Sequence, residues 1–233
     1  MKLKALKAAF PLTIPILTGF LFLGFAYGVY MDSLGFSFIY PMLMSLLIFA
    51  GSMEFVTANL LTVSFSPLSA FLLTLLVNAR HLFYGISMLG RYKNTGRKKW
   101  YLIYGMCDES FSINVSADPP AGVDRGWFMF FVNLLNHAYW VIGATAGGIA
   151  GNLIPFEIQG LDFVLTALFV VIFLDYWLKT KQHLPALIGL TASAVSLFIF
   201  GADGFMVPAM VLIVFGLTAL RTRLSAEKEG AGA

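Results

Sequence analysis

From Phe10 to Tyr30 the sequence contains no charged residue, and runs of similar character recur along the chain. About 20 apolar residues is the length at which an α-helix crosses the hydrocarbon core of a bilayer. Such runs fix the fold class: an all-α polytopic integral membrane protein of about six to eight hydrophobic helices. Composition agrees, because only 12% of the residues are charged against about 25% in soluble domains. The 23 phenylalanines suit lipid-facing and pocket-lining surface, and the single cysteine, Cys107, excludes an internal disulfide framework. There is no nucleotide-binding glycine loop, no metal-ligand spacing and no soluble domain. No cofactor, metal or nucleic-acid partner is therefore expected.

Lys2, Lys4 and Lys7 precede the first run. That run is longer than a signal-peptide core of about 7–15 residues, so it reads as a retained helix with a cytoplasmic N-terminus. Pro11 and Pro15 are expected in its first turns, where a missing N–H costs least. A second segment, from about Phe38 to Leu61, is interrupted at Phe49-Ala50-Gly51-Ser52-Met53-Glu54-Phe55. Pro67 opens a third. The strongest basic loop follows, with Arg91, Lys93, Arg97, Lys98 and Lys99. A fourth segment, Tyr101 to about Ser116, is short and polar, and Asp118-Pro119-Pro120-Ala121-Gly122 is a turn. The fifth runs from Trp127 to about Ile149, the sixth from Leu161 to Leu178 and the seventh from Pro185 to Phe200. An eighth follows the Gly201–Gly204 turn and ends before Arg221 and Arg223.

If all eight segments cross, the Arg91–Lys99 loop lies on the opposite side from the other basic ends, against the positive-inside rule. The conflict vanishes if one of the first three segments and the short fourth do not fully span. The interrupted second and the polar fourth are the candidates for re-entrant or broken elements, leaving six or seven crossings. Gly24 and Gly28, and then Gly143, Gly147 and Gly151, recur at every fourth residue, a spacing that lets helix backbones approach closely. Gly24-xxx-Gly28, Gly35-Phe36-Ser37-Phe38 and Pro67 recur in order as Gly143-xxx-Gly147, Gly160-Leu161-Asp162-Phe163 and Pro185. The pattern predicts an internal repeat with halves at about 10–90 and 127–220. Residues 1–225 then form one transmembrane domain, and 226–233 a disordered cytoplasmic tail.

Within this apolar background Asn78-Ala79-Arg80-His81-Leu82-Phe83-Tyr84-Gly85 places a permanent cation at membrane depth, at a cost of roughly 2.5–3.5 kcal/mol. Glu54, Asp108 and Glu109 are the acids within apolar segments. At helical spacing Arg80, Tyr84 and Ser87 share one face, with Asn78, His81 and Gly85 on the adjacent one. One reading is a structural ion pair between Arg80 and Asp108, Glu109 or Glu54. The other is a polar lining for a solute or proton path formed by Glu54, Asn78, Arg80, His81, Asp108 and Glu109. The two are compatible, and they predict that Arg80 pairs with one of the acids. His137, near Asn133 at helical spacing, reads as a satisfied packing histidine. Asp162 reads as a first-turn acid, and Asp175 as a partner for Lys179. A Cys107–His81 nucleophile pair lacks an oxyanion-hole loop, so catalysis is not expected.

Phe49-Ala50-Gly51-Ser52-Met53-Glu54-Phe55, Asn78-Ala79-Arg80-His81-Leu82-Phe83-Tyr84, Asp108-Glu109-Ser110-Phe111 and Gly160-Leu161-Asp162-Phe163-Val164-Leu165 together resemble the AzlC type of branched-chain amino acid permease. The likeness spans nearly the whole chain, with the four motifs in order. It implies the transport subunit of a two-component exporter in the cell membrane, taking valine, leucine, isoleucine and methionine. It also implies a small AzlD-type membrane subunit as partner, and proton-coupled secondary transport fits the ionisable residues. A non-conducting scaffold subunit, or a transporter of another small solute, is the alternative. The resemblance departs at Met53-Glu54-Phe55, where the family usually reads Ala-Gln-Phe. A carboxylate in place of the amide bears on substrate charge preference and coupling.

Overall fold

The computed structural model describes residues 2–62, 66–151, 153, 170, 173–174, 177–178 and 183–220. The chain divides into two compact units, residues 1–165 and 166–233, and the regular structure among the described residues is helical.

The first unit is built on two long helices, α1 (Lys2–Ser33) and α8 (Arg125–Gly151). Helix α1 begins at Lys2 because lysine, leucine and alanine are all good helix formers. Pro11 and Pro15 therefore lie inside the helix rather than in its first turns, and each removes one backbone donor. The two helices meet through glycine. A Cβ on Gly24 would lie 2.9 Å from the Trp140 carbonyl oxygen, and one on Gly143 2.9 Å from that of Leu21. A Cβ on Gly28 would overlap the Ala144 carbonyl, one on Gly147 the Phe25 carbonyl, and one on Gly151 would press on Asp32. These contacts advance together along both helices, so α1 and α8 run parallel. They also start together: the Lys2 ammonium lies 4.5 Å from the Trp127 ring centroid. This is the basic end of the unit.

Two parallel helices require the chain between them to return, and it does so with a hairpin on either side of the return. Helix α2 (Ile39–Leu47) enters from the far end, with Phe38 and Pro41 against Gly148. It stops at Phe49, whose φ of 47° puts a bulky residue in the left-handed region. Helix α3 (Gly51–Thr62) then runs back to the far end beside α1. There Phe55 packs on Tyr27 and Tyr30, and the Tyr30 hydroxyl donates to Asn59 Oδ1 at 2.6 Å. The interrupted second segment thus doubles back.

Helices α4 (Pro67–Asn78) and α5 (Arg80–Met88) form the return. Ala79 between them keeps helical angles (φ −53°, ψ −33°), so the pair acts as one rod. It ends where Met88 and Tyr92 join Ala9, Leu102 and Phe128 in a buried cluster at the basic end. Helix α6 (Lys98–Tyr104) then goes inward, and α7 (Asp108–Ser116) comes back out. Lys98 sits 4.7 Å from the centroid of the same Trp127 ring. Past α7, Asp118 pairs with Arg91 at 3.5 Å and with Arg125 at 3.3 Å. The fourth segment is therefore two short helices starting at Lys98, not one from Tyr101, and both of its ends lie at the basic end. The Arg91–Lys99 loop shares that end with Lys2, which removes the conflict between these two basic stretches.

In the second unit, α9 (Leu184–Gly204) and α10 (Met206–Ala219) pack as a pair, with Gly216 against Ile188. Gly201, at φ 70°, kinks α9 where the sequence predicts a turn. The sixth helix, the expectations for Asp162, Asp175 and Lys179, the Gly160–Phe163 part of the repeat and the 226–233 tail lie wholly or mainly outside the described residues.

Candidate functional site

Both hairpins turn near the middle of α8, and the polar side chains of the first unit gather there. At the first turn, Glu54 has no exposed surface. Its Oε1 accepts from the Ala50 amide at 3.0 Å, and both carboxylate oxygens accept from Trp140 Nε1, at 3.1 and 3.0 Å. The carboxylate thus satisfies one of the amides left over where α3 begins and ties that helix start to α8. The carbonyls where α2 ends are held as well. Tyr104 donates to Leu46 O at 2.6 Å, and His137 Nε2 lies 3.2 Å from Ser45 O. A carbonyl can only accept, so Nε2 carries the proton. Nδ1 then accepts from the Tyr101 hydroxyl at 3.0 Å. His137 is engaged at both nitrogens, and Phe49 lies over its ring at 4.4 Å.

At the second turn, Cys107 caps α7, its sulfur accepting from the Ser110 amide at 3.5 Å. Asp108 and Glu109 occupy the first turn of that helix, where carboxylates complement the helix dipole. Arg80 Nε lies 3.1 Å from Asp108 Oδ1, each side chain about a third exposed (34% and 31%). The ion pair predicted for Arg80 is present and goes to Asp108, while Glu54 is held by Trp140. Tyr84, one turn beyond Arg80, stacks on Phe111 of α7 at 4.2 Å.

Two amide rungs join α7 to α8. Asn136 Nδ2 donates to Ser110 Oγ at 3.0 Å, and Asn114 Nδ2 to Asn133 Oδ1 at 2.9 Å. Asn133 Nδ2 in turn donates to Leu102 O at 3.2 Å. That carbonyl fixes the orientation of both amides in the second rung.

Beside these turns lies a cavity of about 700 Å³, within the range of about 300–1,000 Å³ typical of small-molecule sites. Its wall is mostly aliphatic and aromatic. Ile48, Phe49 and Ala50 come from the first turn, Ile103, Tyr104 and Met106 from the approach to the second. The α4–α5 rod contributes Thr74, Asn78, His81 and Gly85, and Tyr92 and Lys99 carry the lining to the basic end.

The six residues singled out from the sequence therefore separate into three groups. Asn78 and His81 line the cavity. Arg80 and Asp108 pair between α5 and α7, with Glu109 next to Asp108 in the same helical turn, and none of the three is among the cavity-lining residues. Glu54 is buried between α3 and α8. Sequence reasoning left out Tyr101, Tyr104, Ser110, Asn114 and Trp140. One signal was present for Trp140: Asn133, Asn136, His137 and Trp140 recur at helical spacing on one face of α8. Among the described residues, no group of three or more His, Cys, Asp or Glu could hold a metal ion.

Residues 15–154 match the family described as AzlC protein. The chain is 63% identical over 220 residues to the "Branched-chain amino acid transport protein AzlC" of Bacillus subtilis, covering 94% of this chain and 87% of that protein. It is 50% identical over 227 residues to an "Uncharacterized membrane protein" of Haemophilus influenzae, covering 97% and 93%. To the "Inner membrane protein YgaZ" of Escherichia coli it is 29% identical over 223 residues, covering 89% and 86%. No solved structure matches. The names of these relatives agree with the long apolar helices on a place in the membrane. The chain belongs to the AzlC family.

Proposed function

We propose that this protein is the transport subunit of a secondary exporter of branched-chain and other hydrophobic amino acids: valine, leucine, isoleucine and methionine. It works with a small AzlD-type membrane subunit and is driven by protons. The observation that carries the reading is the cavity of about 700 Å³, apolar over most of its wall and bordered by Asn78, His81 and the broken backbone at Phe49–Ala50. An aliphatic side chain fits the wall formed by Ile48, Phe71, Leu75 and Ile103. The charged head group needs hydrogen-bonding partners, and on this reading Asn78 and His81, among the polar side chains of the lining, offer them. The substrate class printed for the Bacillus subtilis relative points the same way.

Arg80 and Asp108 act as positioning residues on this reading. Their pair holds α5, which carries His81, against α7. Glu54 is the proton-carrying group, a buried carboxylate at the turn bordering the cavity. On this reading the basic end, with Lys2, Arg91, Lys98, Lys99 and Arg125, and the N-terminus face the cytoplasm, the side on which Lys and Arg concentrate in membrane proteins. The cavity reaches that end through Tyr92 and Lys99, as loading from the cytoplasm requires. One methylene distinguishes substrates by only about 1–3 kcal/mol, so the specificity is broad.

The test is efflux of labelled leucine from cells expressing the chain with and without the small partner. Efflux that needs both, falls with Asn78→Ala or His81→Ala and collapses on adding a protonophore supports the proposal. Efflux indifferent to the chain and to both substitutions makes it a scaffold instead.

A further inference from the structure

The two hairpins share more than their direction of turning. Phe25-Ala26-Tyr27-Gly28-Val29 in α1 has a counterpart in Leu82-Phe83-Tyr84-Gly85-Ile86 in α5. In each case the tyrosine meets a phenylalanine on the outgoing arm of the hairpin that follows. Tyr27 meets Phe55 of α3 with ring centroids 5.1 Å apart, and Tyr84 meets Phe111 of α7 at 4.2 Å. The intervals in sequence, 28 and 27 residues, are almost equal. Both outgoing arms carry carboxylates in their first turn, Glu54 in α3 and Asp108 with Glu109 in α7, whereas neither incoming arm does. The directions are opposite. The α1 rod runs from the basic end to the far end, and its hairpin enters and leaves at the far end. The α4–α5 rod runs the other way, and its hairpin enters and leaves at the basic end.

We infer that residues 2–62 and 67–116 are two copies of one unit, a spanning rod followed by a re-entrant hairpin, set in opposite orientation, and that the cavity between their turns is a two-sided site reached from each end in alternation. The cavity already has both turns in its wall: Ile48, Phe49 and Ala50 from one copy and Ile103, Tyr104 and Met106 from the other. Backbone that breaks at membrane depth is tolerated where protein or a water-filled cavity surrounds it. Inverted repeats with a site at their junction allow one copy to move against the other about a fixed substrate. This duplication differs in span and orientation from the one drawn from glycine spacing. Its alternating use rests on the transport reading, but its topology does not.

Two arms of one experiment separate these. In a Cys107→Ser background, single cysteines replace Lys4, Ser37, Thr62, Lys93 or Ala121, all on exposed positions. A membrane-impermeant maleimide is applied to right-side-out and inside-out vesicles. The duplication requires Lys4→Cys, Lys93→Cys and Ala121→Cys to label from one side, and Ser37→Cys and Thr62→Cys from the other. Labelling of Lys93→Cys and Ala121→Cys from opposite sides, or of Ser37→Cys and Thr62→Cys from opposite sides, overturns it. In the second arm, Ala50→Cys and Met106→Cys are labelled in vesicles with and without a leucine gradient. Both react from the basic side at rest, and the gradient raises their reaction from the far side several-fold. Reaction confined to one side under both conditions overturns the alternation while leaving the topology standing.

Discussion

Gly28 and Gly85 each follow a tyrosine on a rod that leads into a hairpin, yet they lie in opposite environments. A Cβ at Gly28 would run into the backbone of Ala144, Gly147 and Gly148, whereas one at Gly85 would meet nothing within 4 Å. Around Gly28 the chain is buried from Tyr27 to Met31. Around Gly85, Leu82, Phe83 and Ile86 are 63%, 69% and 67% exposed, and Gly85 borders the cavity. The local motif is therefore not what buries a residue here. The covering helix α8 closes the first rod around Gly28, and the other is left with space on the same kind of face. One copy is seated on α8, and the other supplies most of the cavity wall, with Ile48, Phe49 and Ala50 as the first copy's share.

The largest expected effect tests the closed side. Gly28→Leu or Gly147→Leu forces side chains between two backbones in contact and costs about 3 kcal/mol or more, at or beyond the upper end for overpacking. Folded protein should be absent or nearly so by size-exclusion chromatography in detergent. A normal monodisperse peak would show that the seam can separate.

Next is the tie between the first hairpin and α8. Trp140→Phe removes the indole donor from Glu54, and a buried acceptor stripped of a donor costs about 1–3 kcal/mol. Thermal unfolding should occur at a lower temperature, whereas Glu54→Gln with Trp140 in place, whose Oε1 can still accept from Ala50 and Trp140, should lower it less. An equal fall for Glu54→Gln alone would mean that the charge, rather than the acceptor, holds the turn.

On the open side the effects are smaller. Arg80 and Asp108 are partly exposed, so their coupling should be about 1 kcal/mol or less. A double-mutant cycle of Arg80→Ala and Asp108→Ala on the apparent unfolding temperature measures it, with additive losses ruling the coupling out. The smallest stability change is expected at Gly85→Ala, within about 0.5 kcal/mol. Because the added methyl enters the cavity, isoleucine efflux should fall more than valine efflux. Equal falls would place the substrate elsewhere.

The breaks themselves were written in the sequence. Gly51-Ser52 and Gly105 weaken a helix in otherwise apolar runs, and Pro67 opens one. The close approach of glycine faces could also be foreseen from spacing. Which acid Arg80 chooses could not, because Glu54 and Asp108 are equivalent until Trp140, 86 positions from Glu54, takes one of them. The start of α6 at Lys98 was obscured by charge. Lys98 and Lys99 belong to a basic loop by composition, but the Trp127 ring gives Lys98 a cation–π partner and lets the helix begin there. Ala79 gave no warning at all, being the strongest helix former at the junction of two helices.

The pairing of α1 with α8 has a consequence for how the molecule is made. Helix α1 leaves the ribosome well before α8 and carries a glycine-lined face whose partner begins at Arg125. At about 5–20 residues per second, that face waits on the order of ten seconds for its match. The first support that α1 meets is its own hairpin, with Tyr27 and Tyr30 against Phe55. The first copy can therefore assemble as a provisional pair during synthesis, and the seam closes over it last.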